Sequence, residues 1–234
     1  MAAPRALPLA LASALLALIA GCGTVADARP AEAAATSARA VTPTPTPSSS
    51  ASSSSSPERR ESEARTLTAK LSIPAIGLHD LPVVPYEGTT DDTEGTRIQN
   101  RGDAASPYGE HGGVGPGEKG NYLVTAHRLT AGGPLRDLPE LRAGDTVTVT
   151  AGGRSHTYEI TETRQTSFRS ARSLAEQRAP VPGHPGERPT QAMITISTCA
   201  TPEDDAAGNF WRDEHGNPEH RIDKIGVLRE PGTP

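Results

Sequence analysis

The strongest constraint on the fold is a two-residue periodicity of apolar residues that begins near Leu67. In residues 146–150 (TVTVT), valines alternate strictly with threonines, which is typical of a strand with one buried face. A turn with two adjacent glycines follows, and Tyr158 and Ile160 then alternate with polar residues. The pattern and the turn chemistry together predict a β-hairpin.

Further short apolar stretches predict a mainly β domain, and helical signal is weak. Strands are expected over residues 71–78, 81–84, 122–126, 193–198 and 222–228. Only 3% of the residues are aromatic, so the core must rest on Leu, Ile and Val. Helical spacing occurs only among Leu135, Leu138 and Leu141 and over residues 170–177. We therefore expect a closed β-barrel or a sandwich with short helical connections.

The first 21 residues have the features of a secretion signal. Residues 6–20 are mostly apolar, but a helix of that length is about 22 Å long, too short to cross a hydrocarbon layer of about 30 Å. The stretch ends in Leu18-Ile19-Ala20-Gly21-Cys22, which resembles a bacterial lipobox. The resemblance implies a diacylglyceryl group on Cys22 and cleavage directly before it. The alternative is an ordinary signal or a short signal anchor in which Cys22 is incidental.

Residues 22–66 predict a disordered tether between that anchor and the folded domain over residues 67–234. The segment is rich in Ala, Ser, Thr and Pro, a composition that cannot bury enough apolar surface to fold. A lipid at one end and a flexible spacer predict a domain held at the extracytoplasmic face of the cell membrane.

Charge and motif content argue against several classes of function. The net charge is −5, whereas a domain that binds nucleic acid usually carries a positively charged surface, so nucleic-acid binding is not expected. The glycine-rich residues 112–120 lack the glycine before the lysine of a phosphate loop, and residues 203–205 (EDD) lack calcium-loop spacing. No zinc motif occurs either, so we expect no metal or cofactor.

Cys199 is the first candidate for chemistry, because it ends the apolar strand expected over residues 194–198 and precedes a polar loop at 200–207. If Cys22 is lipidated, Cys199 has no partner for a disulfide within the chain. A reactive thiol, an intermolecular bridge and a buried inert cysteine are all compatible with this position.

His127 is the histidine best placed to activate that thiol. It directly follows the apolar residues 122–126, so it also stands at a strand end, and two strand ends can meet at one rim of a barrel. An imidazolium beside a thiol stabilises the nucleophilic thiolate. The alternative is a histidine that only caps its strand.

Five segments in this order resemble the sortases, and most closely the class E sortases of actinobacteria. They are LSIPAIGL from Leu71, GNYLVTAHR ending at Arg128, PLRDLPEL from Pro134 with the following Gly144-Asp145, TISTC ending at Cys199, and HRI from His220. L,D-transpeptidases also place His before Cys, but their Ser-x-Gly-Cys core is missing here. Two features depart from the sortase pattern: Ala126 stands where Gly usually precedes the His, and the interval from Cys to Arg is longer than in many sortases.

The resemblance implies a sortase-type closed β-barrel and a cysteine transpeptidase. Cys199 would attack the Thr–Gly carbonyl of a C-terminal sorting signal, His127 would transfer protons, and Arg221 would stabilise the oxyanion, with Arg212 as a competing candidate for that last role. The implied partners are secreted proteins that carry such a signal and the amine of a peptidoglycan precursor. Tyr108 and Thr198 would contact the substrate, and a class E enzyme would prefer Leu-Ala-x-Thr-Gly to Leu-Pro-x-Thr-Gly. The alternative function is a non-catalytic surface lipoprotein whose β-domain binds wall or protein ligands.

Overall fold

The computed structural model describes residues 65–229. The signal expected over residues 1–21, the lipidation expected at Cys22 and the tether expected over 22–66 lie outside these residues, except for Arg65 and Thr66. Within the described part, no helix is long and apolar enough to span a membrane.

Eight strands of the described chain close into a barrel, which confirms the mainly β prediction. Around the barrel they follow the order β1-β2-β3-β4-β7-β8-β6-β5. The strands are β1 (Ala69–Ile73), β2 (Leu78–Glu87), β3 (Ala104–Tyr108), β4 (Gly120–Thr125), β5 (Thr146–Ala151), β6 (Arg154–Ser167), β7 (Ala192–Cys199) and β8 (His220–Leu228). The helices are α1 (Thr93–Gln99), α2 (Ala171–Arg178) and α3 (Thr201–Ala206), with 3₁₀ turns at Pro74–Ile76 and Leu138–Glu140.

The predicted hairpin is present as β5 and β6. The two strands pair antiparallel, and Val147 lies opposite Tyr158. Gly152 and Gly153 at the turn have φ values of +55° and +74°, the left-handed region that a tight two-residue hairpin turn requires. Val147, Val149, Tyr158 and Ile160 are buried in the barrel core, so the alternation identified the inward face correctly.

Three local predictions were wrong. The strand expected over residues 71–78 breaks after β1, because Pro74 opens a 3₁₀ turn and Gly77 closes it at a φ of +65°. The polar loop expected at residues 200–207 contains helix α3, which has proline in its first turn and two acidic residues there, features that favour a helix start. Strand β3 was not expected, because its residues AASPY show no alternation of apolar and polar side chains.

The leucines at spacing three do not form a regular helix, but all three are buried. Leu135, Leu138 and Leu141 belong to the same core cluster as the barrel interior, and only a 3₁₀ turn forms among them. The three-residue spacing of these leucines therefore indicated that they share a buried side of a compact turn, and not that they form an α-helix.

The order of the strands determines which side chains meet at the barrel rim. β4 and β7 are parallel neighbours, with Thr125 beside Ser197, so their carboxyl ends lie at the same rim. β8 runs antiparallel to β7 and pairs Arg221 with Cys199, which brings the start of β8 to that rim as well. The residues predicted to be catalytic therefore stand on three adjacent strands.

Candidate active site

Cys199 ends β7 on the outer face of the barrel. Ile194 and Ile196 point into the core, so strand alternation directs Thr195, Ser197 and Cys199 outward. Helix α2 covers part of this outer face, where Gln177 Nε2 donates a hydrogen bond of 3.3 Å to Ser197 Oγ. The thiol at the strand end is half-buried and is a free cysteine.

Burial raises the pKa of the Cys199 thiol above its ordinary value. The Arg221 and Arg128 guanidinium groups oppose this shift, and the carboxylates of Asp91 and Asp213 add to it. The resting side chain at neutral pH is accordingly a protonated thiol, which has to lose its proton before it can attack a carbonyl carbon.

His127 follows β4 directly and is held by the end of helix α1. Asn100, the residue that ends α1, places its Oδ1 2.8 Å from His127 Nε2. Because an amide oxygen only accepts, Nε2 carries the proton and Nδ1 is free to accept one. Burial lowers the pKa of His127, Asp91 opposes the shift, and Arg221 reinforces it.

Arg221 is buried beside the thiol with part of its guanidinium unpartnered. The side chain is 1% exposed, its Nη1 donates 3.0 Å to the Pro218 carbonyl oxygen, and the Phe168 ring lies 4.0 Å from its central carbon. Nε and Nη2 have no hydrogen-bond partner among the described residues. Burial alone would lower the pKa of Arg221, but the net shift is upward because of its ionisable neighbours, with Asp91 first among them, so the group stays cationic.

Asp91 supplies the carboxylate that faces Arg221. Its Oδ2 lies 3.5 Å from Arg221 Nε and is itself buried without a hydrogen bond to any residue between 65 and 229. The neighbouring Asp92 caps α1 through a hydrogen bond of 2.8 Å from Gly95 N to its Oδ1. This cap holds the segment that contains Asp91 and Asp92 in place next to the Arg221 guanidinium.

Arg212, the competing candidate, is engaged elsewhere. Its guanidinium pairs with the Asp205 carboxylate and donates 2.7 Å to the Trp211 carbonyl oxygen. Arg212 is thus neutralised by a carboxylate, whereas Arg221 is the backbone partner of Cys199 across β7 and β8.

Thr198 performs a structural task in this geometry. It is 2% exposed, and its Oγ1 donates 2.8 Å to the carbonyl oxygen of Ala126. The bond ties the end of β7 to the residue before His127. Because the Thr198 hydroxyl already donates its hydrogen to a backbone carbonyl, the geometry gives no support to the substrate contact expected of this residue.

Tyr108 lies away from the thiol and the imidazole. It ends β3, which runs antiparallel to β4 from the pair Ala105–Thr125, so Tyr108 is about 10 Å further along the strand at ~3.3 Å per residue. It pairs with Glu87 and forms a bridge with Gly113. The residues before Tyr108 pair with β2, so Tyr108 continues the sheet away from the rim that carries Cys199 and His127.

A cavity of about 380 Å³ opens onto the thiol and the imidazole. Its wall comes from the end of α1, the segment after β4, and the loop before β8. The lining residues are Thr96, Asn100, His127, Arg128, Leu129, Thr130, Cys199, Thr201, His215, Gly216, Asn217 and Pro218. Arg221 and Tyr108 are not among them, so Cys199 and His127 are approached from this side while the guanidinium lies behind the thiol.

Four residues of the site were not singled out from the sequence: Asp91, Asn100, Phe168 and Asn217. Asn100 and Asn217 each stand next to a turn signal, Arg101-Gly102 and Gly216-Pro218 respectively, but such signals predict loops and not contacts. Asp91 and Phe168 are brought to Arg221 by tertiary packing alone.

Comparison with protein families gives a match to the Sortase domain over residues 71–210. Sortase E from Streptomyces avermitilis is 29% identical, with a TM-score of 0.50 over 69% of this chain and 87% of that one. Two structures are similar at 21% identity and a TM-score of 0.52, and they support the fold alone. They are SrtA sortase from Actinomyces oris, over 70% of this chain and 79% of that one, and sortase E1 from Streptomyces coelicolor with a tripeptide in its active site, over 70% and 89%. The comparison with curated proteins returned no match.

Proposed function

This chain belongs to the sortase family of cysteine transpeptidases, and we propose that Cys199, His127 and Arg221 carry out its reaction. The observation that supports these roles is the backbone pairing of Cys199 with Arg221 at the rim where β4 delivers His127. The alternative of a non-catalytic surface domain is not favoured by membership of this enzyme family.

In the first half of the reaction, the thiol loses its proton to His127 and the sulfur attacks the carbonyl carbon of the Thr–Gly bond. We assign the negative charge that develops on the carbonyl oxygen to Arg221, whose buried Nε and Nη2 hydrogens have no other hydrogen-bond partner among the described residues and become accessible once the substrate displaces the cover over the guanidinium. His127 then returns the proton to the leaving glycine amine, which leaves a thioester on Cys199.

In the second half, an acceptor amine attacks the thioester carbonyl. His127, with Nδ1 free and Nε2 held by Asn100, takes the proton from the attacking amine. Collapse of the intermediate releases the thiol and leaves a new amide bond. Family membership makes the substrates of this chain proteins with a C-terminal sorting signal and a cell-wall precursor amine.

The class E assignment and the preference for Leu-Ala-x-Thr-Gly are finer parts of the proposal. They rest on the sequence resemblance and on the similarity to Streptomyces avermitilis sortase E. The position of Tyr108 at the far end of β3 does not support its role in choosing Ala over Pro. Measuring kcat/KM for both peptides in the wild type and in Tyr108→Phe separates the two ideas: equal rates on both peptides contradict the class, and an unchanged preference in Tyr108→Phe contradicts only the tyrosine.

The proposal also includes a lipid anchor at Cys22 and a location at the extracytoplasmic face of the cell membrane. The support is the lipobox-like end of the signal and the Ser/Thr/Pro-rich spacer that follows it. The intact mass of membrane-extracted protein decides this part. A chain that starts at diacylated Cys22 is expected, and a chain that retains residues 1–21 would contradict the anchor.

Peptide cleavage by variants tests the three catalytic roles. Cys199→Ala, His127→Ala and Arg221→Ala should each abolish cleavage of a sorting-signal peptide while circular dichroism stays native. Arg212→Ala is the matched control and should retain turnover, since its guanidinium is paired with Asp205. Loss of activity in Arg212→Ala with near-normal turnover in Arg221→Ala would move the oxyanion role to Arg212.

A further inference from the structure

The loop that leads into β8 brings an amide side chain to the thiol. Asn217 lies between α3 and β8, is 9% exposed, and places its Oδ1 4.0 Å from Cys199 Sγ, within hydrogen-bonding range for sulfur. It also lines the cavity shared by Cys199 and His127. None of the catalytic steps described above uses this residue.

The orientation of the Asn217 amide is fixed by Asp213. Asn217 Nδ2 donates 2.9 Å to Asp213 Oδ2, and the backbone N of Asn217 donates 2.8 Å to Oδ1 of the same carboxylate. The backbone N of Asp213 in turn donates 3.0 Å to the Asn217 carbonyl oxygen. A carboxylate only accepts, so the amide nitrogen must face Asp213, and the amide oxygen is left to face the thiol.

We propose that Asn217 is a positioning residue for the nucleophile: held by Asp213, it presents a fixed acceptor to the S–H of Cys199 and keeps the resting thiol in place and protonated. The proposal rests on the proposed function, because it matters only if Cys199 is the nucleophile.

The effect of the Asn217–Cys199 contact on the thiol follows from the fact that the facing atom, Asn217 Oδ1, can only accept a hydrogen bond. A carbonyl oxygen accepts a hydrogen bond from a thiol, but it has no hydrogen to offer a thiolate. The contact therefore stabilises the protonated form relative to the thiolate. It also limits rotation about the Cα–Cβ bond of Cys199, so the sulfur is held on the cavity side until a substrate displaces the amide.

Several charged groups act on the same thiol, and the test has to separate them from Asn217. Arg221 from β8 and Arg128 after β4 favour the thiolate, whereas Asp91 before α1 and Asp213 in the Asn217 loop disfavour it. His127 and His215 line the same cavity. A substitution at Asn217 leaves all of these charges in place, whereas one at Asp213 would change a charge and an orientation together.

The test is the pH dependence of Cys199 alkylation by iodoacetamide, measured on the full chain in the absence of peptide. Asn217→Leu keeps the approximate shape and the cover over the thiol but removes the acceptor. We expect the apparent thiol pKa to fall by about 0.5–1 unit, so that alkylation at neutral pH becomes roughly 3- to 10-fold faster. An unchanged pKa in Asn217→Leu overturns the proposal.

Asn209→Leu is the matched control, because it changes an asparagine of the same loop whose amide donates 2.9 Å to Glu219. Its thiol pKa should equal that of the wild type, and a shift as large as in Asn217→Leu would mean that loop loosening is the cause. Asn217→Asp provides a second variant if Asn217→Leu does not fold. Its added carboxylate should raise the thiol pKa, and a fall or no change counts against the proposal.

Alkylation does not require turnover, so this test and that of the proposed function fail independently. A wild-type chain that cleaves no sorting peptide while Asn217→Leu still shifts the thiol pKa would contradict the function alone. An enzyme that cleaves the peptide while Asn217→Leu leaves the thiol pKa unchanged would contradict the positioning role alone.

Discussion

Asp91 Oδ2 lies 3.5 Å from Arg221 Nε, with the two side chains only 7% and 1% exposed. Asp91 adopts a left-handed backbone conformation with φ of +61°, which is uncommon for a residue other than glycine. Neither facing atom has a hydrogen bond to another residue that the structure describes. The carboxylate thus balances the charge of the guanidinium through proximity alone.

Removing that carboxylate should destabilise the domain. In Asp91→Ala, the buried Arg221 loses the carboxylate that acts on it most strongly, and breaking a buried pair in this way typically costs about 3–5 kcal/mol. Urea unfolding measures the loss. The double variant Asp91→Ala/Arg221→Met should be more stable than Asp91→Ala, because the orphaned charge is gone. A double variant no more stable than the single one would show that Asp91 stabilises the fold by another route.

The pH dependence of kcat/KM should be a broad bell. Burial lowers the pKa of His127 below 6.5 and raises that of Cys199, so the two limbs lie far apart. Asp91 raises the pKa of both groups, and in Asp91→Asn both limbs should therefore move to lower pH. The measurement is kcat/KM for a sorting peptide across the pH range in both proteins. Limbs that stay in place or move to higher pH would contradict the assigned electrostatics.

Loss of the Asn100 amide should reduce the catalytic contribution of His127, because the imidazole stays in the site but loses the contact that orients its ring. A hydrogen bond of this kind is worth about 1 kcal/mol, so Asn100→Ala should lower kcat/KM by roughly 5- to 10-fold. Asn100→Asp retains an acceptor for Nε2 and should recover part of the rate, but its carboxylate should raise the pKa of His127 and shift the acid limb upward. Equal rates in all three proteins would mean that the 2.8 Å contact does not orient the ring.

Thr198→Val distinguishes a structural role from a substrate contact. Valine keeps the shape but removes the donor to the Ala126 carbonyl oxygen, which should cost about 1 kcal/mol or more of unfolding free energy. KM for the sorting peptide should change little, because the hydroxyl faces the protein. A several-fold rise in KM with unchanged stability would restore the substrate contact expected from the sequence.

The sequence predicted what depends on local pattern. Alternation located β5 and β6, short apolar stretches located β7 and β8, and the positions of Cys199 and His127 at strand ends predicted that they could meet at one rim. The resemblance gave the oxyanion role to Arg221 with Arg212 as a competitor, and the engagement of Arg212 by Asp205 is a contact that no local pattern indicated.

The remaining features depend on long-range packing that no local pattern carries. Asp92 is recognisable from the sequence as the capping residue of a helix. The position of Asp91 over Arg221, in contrast, follows only from the closure of the barrel. Tyr108 was named from the sortase resemblance, which carries no information about the direction in which β3 runs. Asn217 reaches the thiol only because the loop before β8 folds back on Asp213.

Acylation of Cys199 by a sorting signal is the defining step of the proposed reaction, and the intact mass of the protein reports it without an intermediary assay. A Leu-Ala-x-Thr-Gly peptide is incubated with the enzyme without an acceptor amine, and the protein is quenched in acid. We predict a mass increase equal to the peptide up to its threonine, located at Cys199, absent in Cys199→Ala and lost on adding an amine. Cleavage of the peptide with no adduct on the trapped protein, or an equal adduct in Cys199→Ala, would contradict the account.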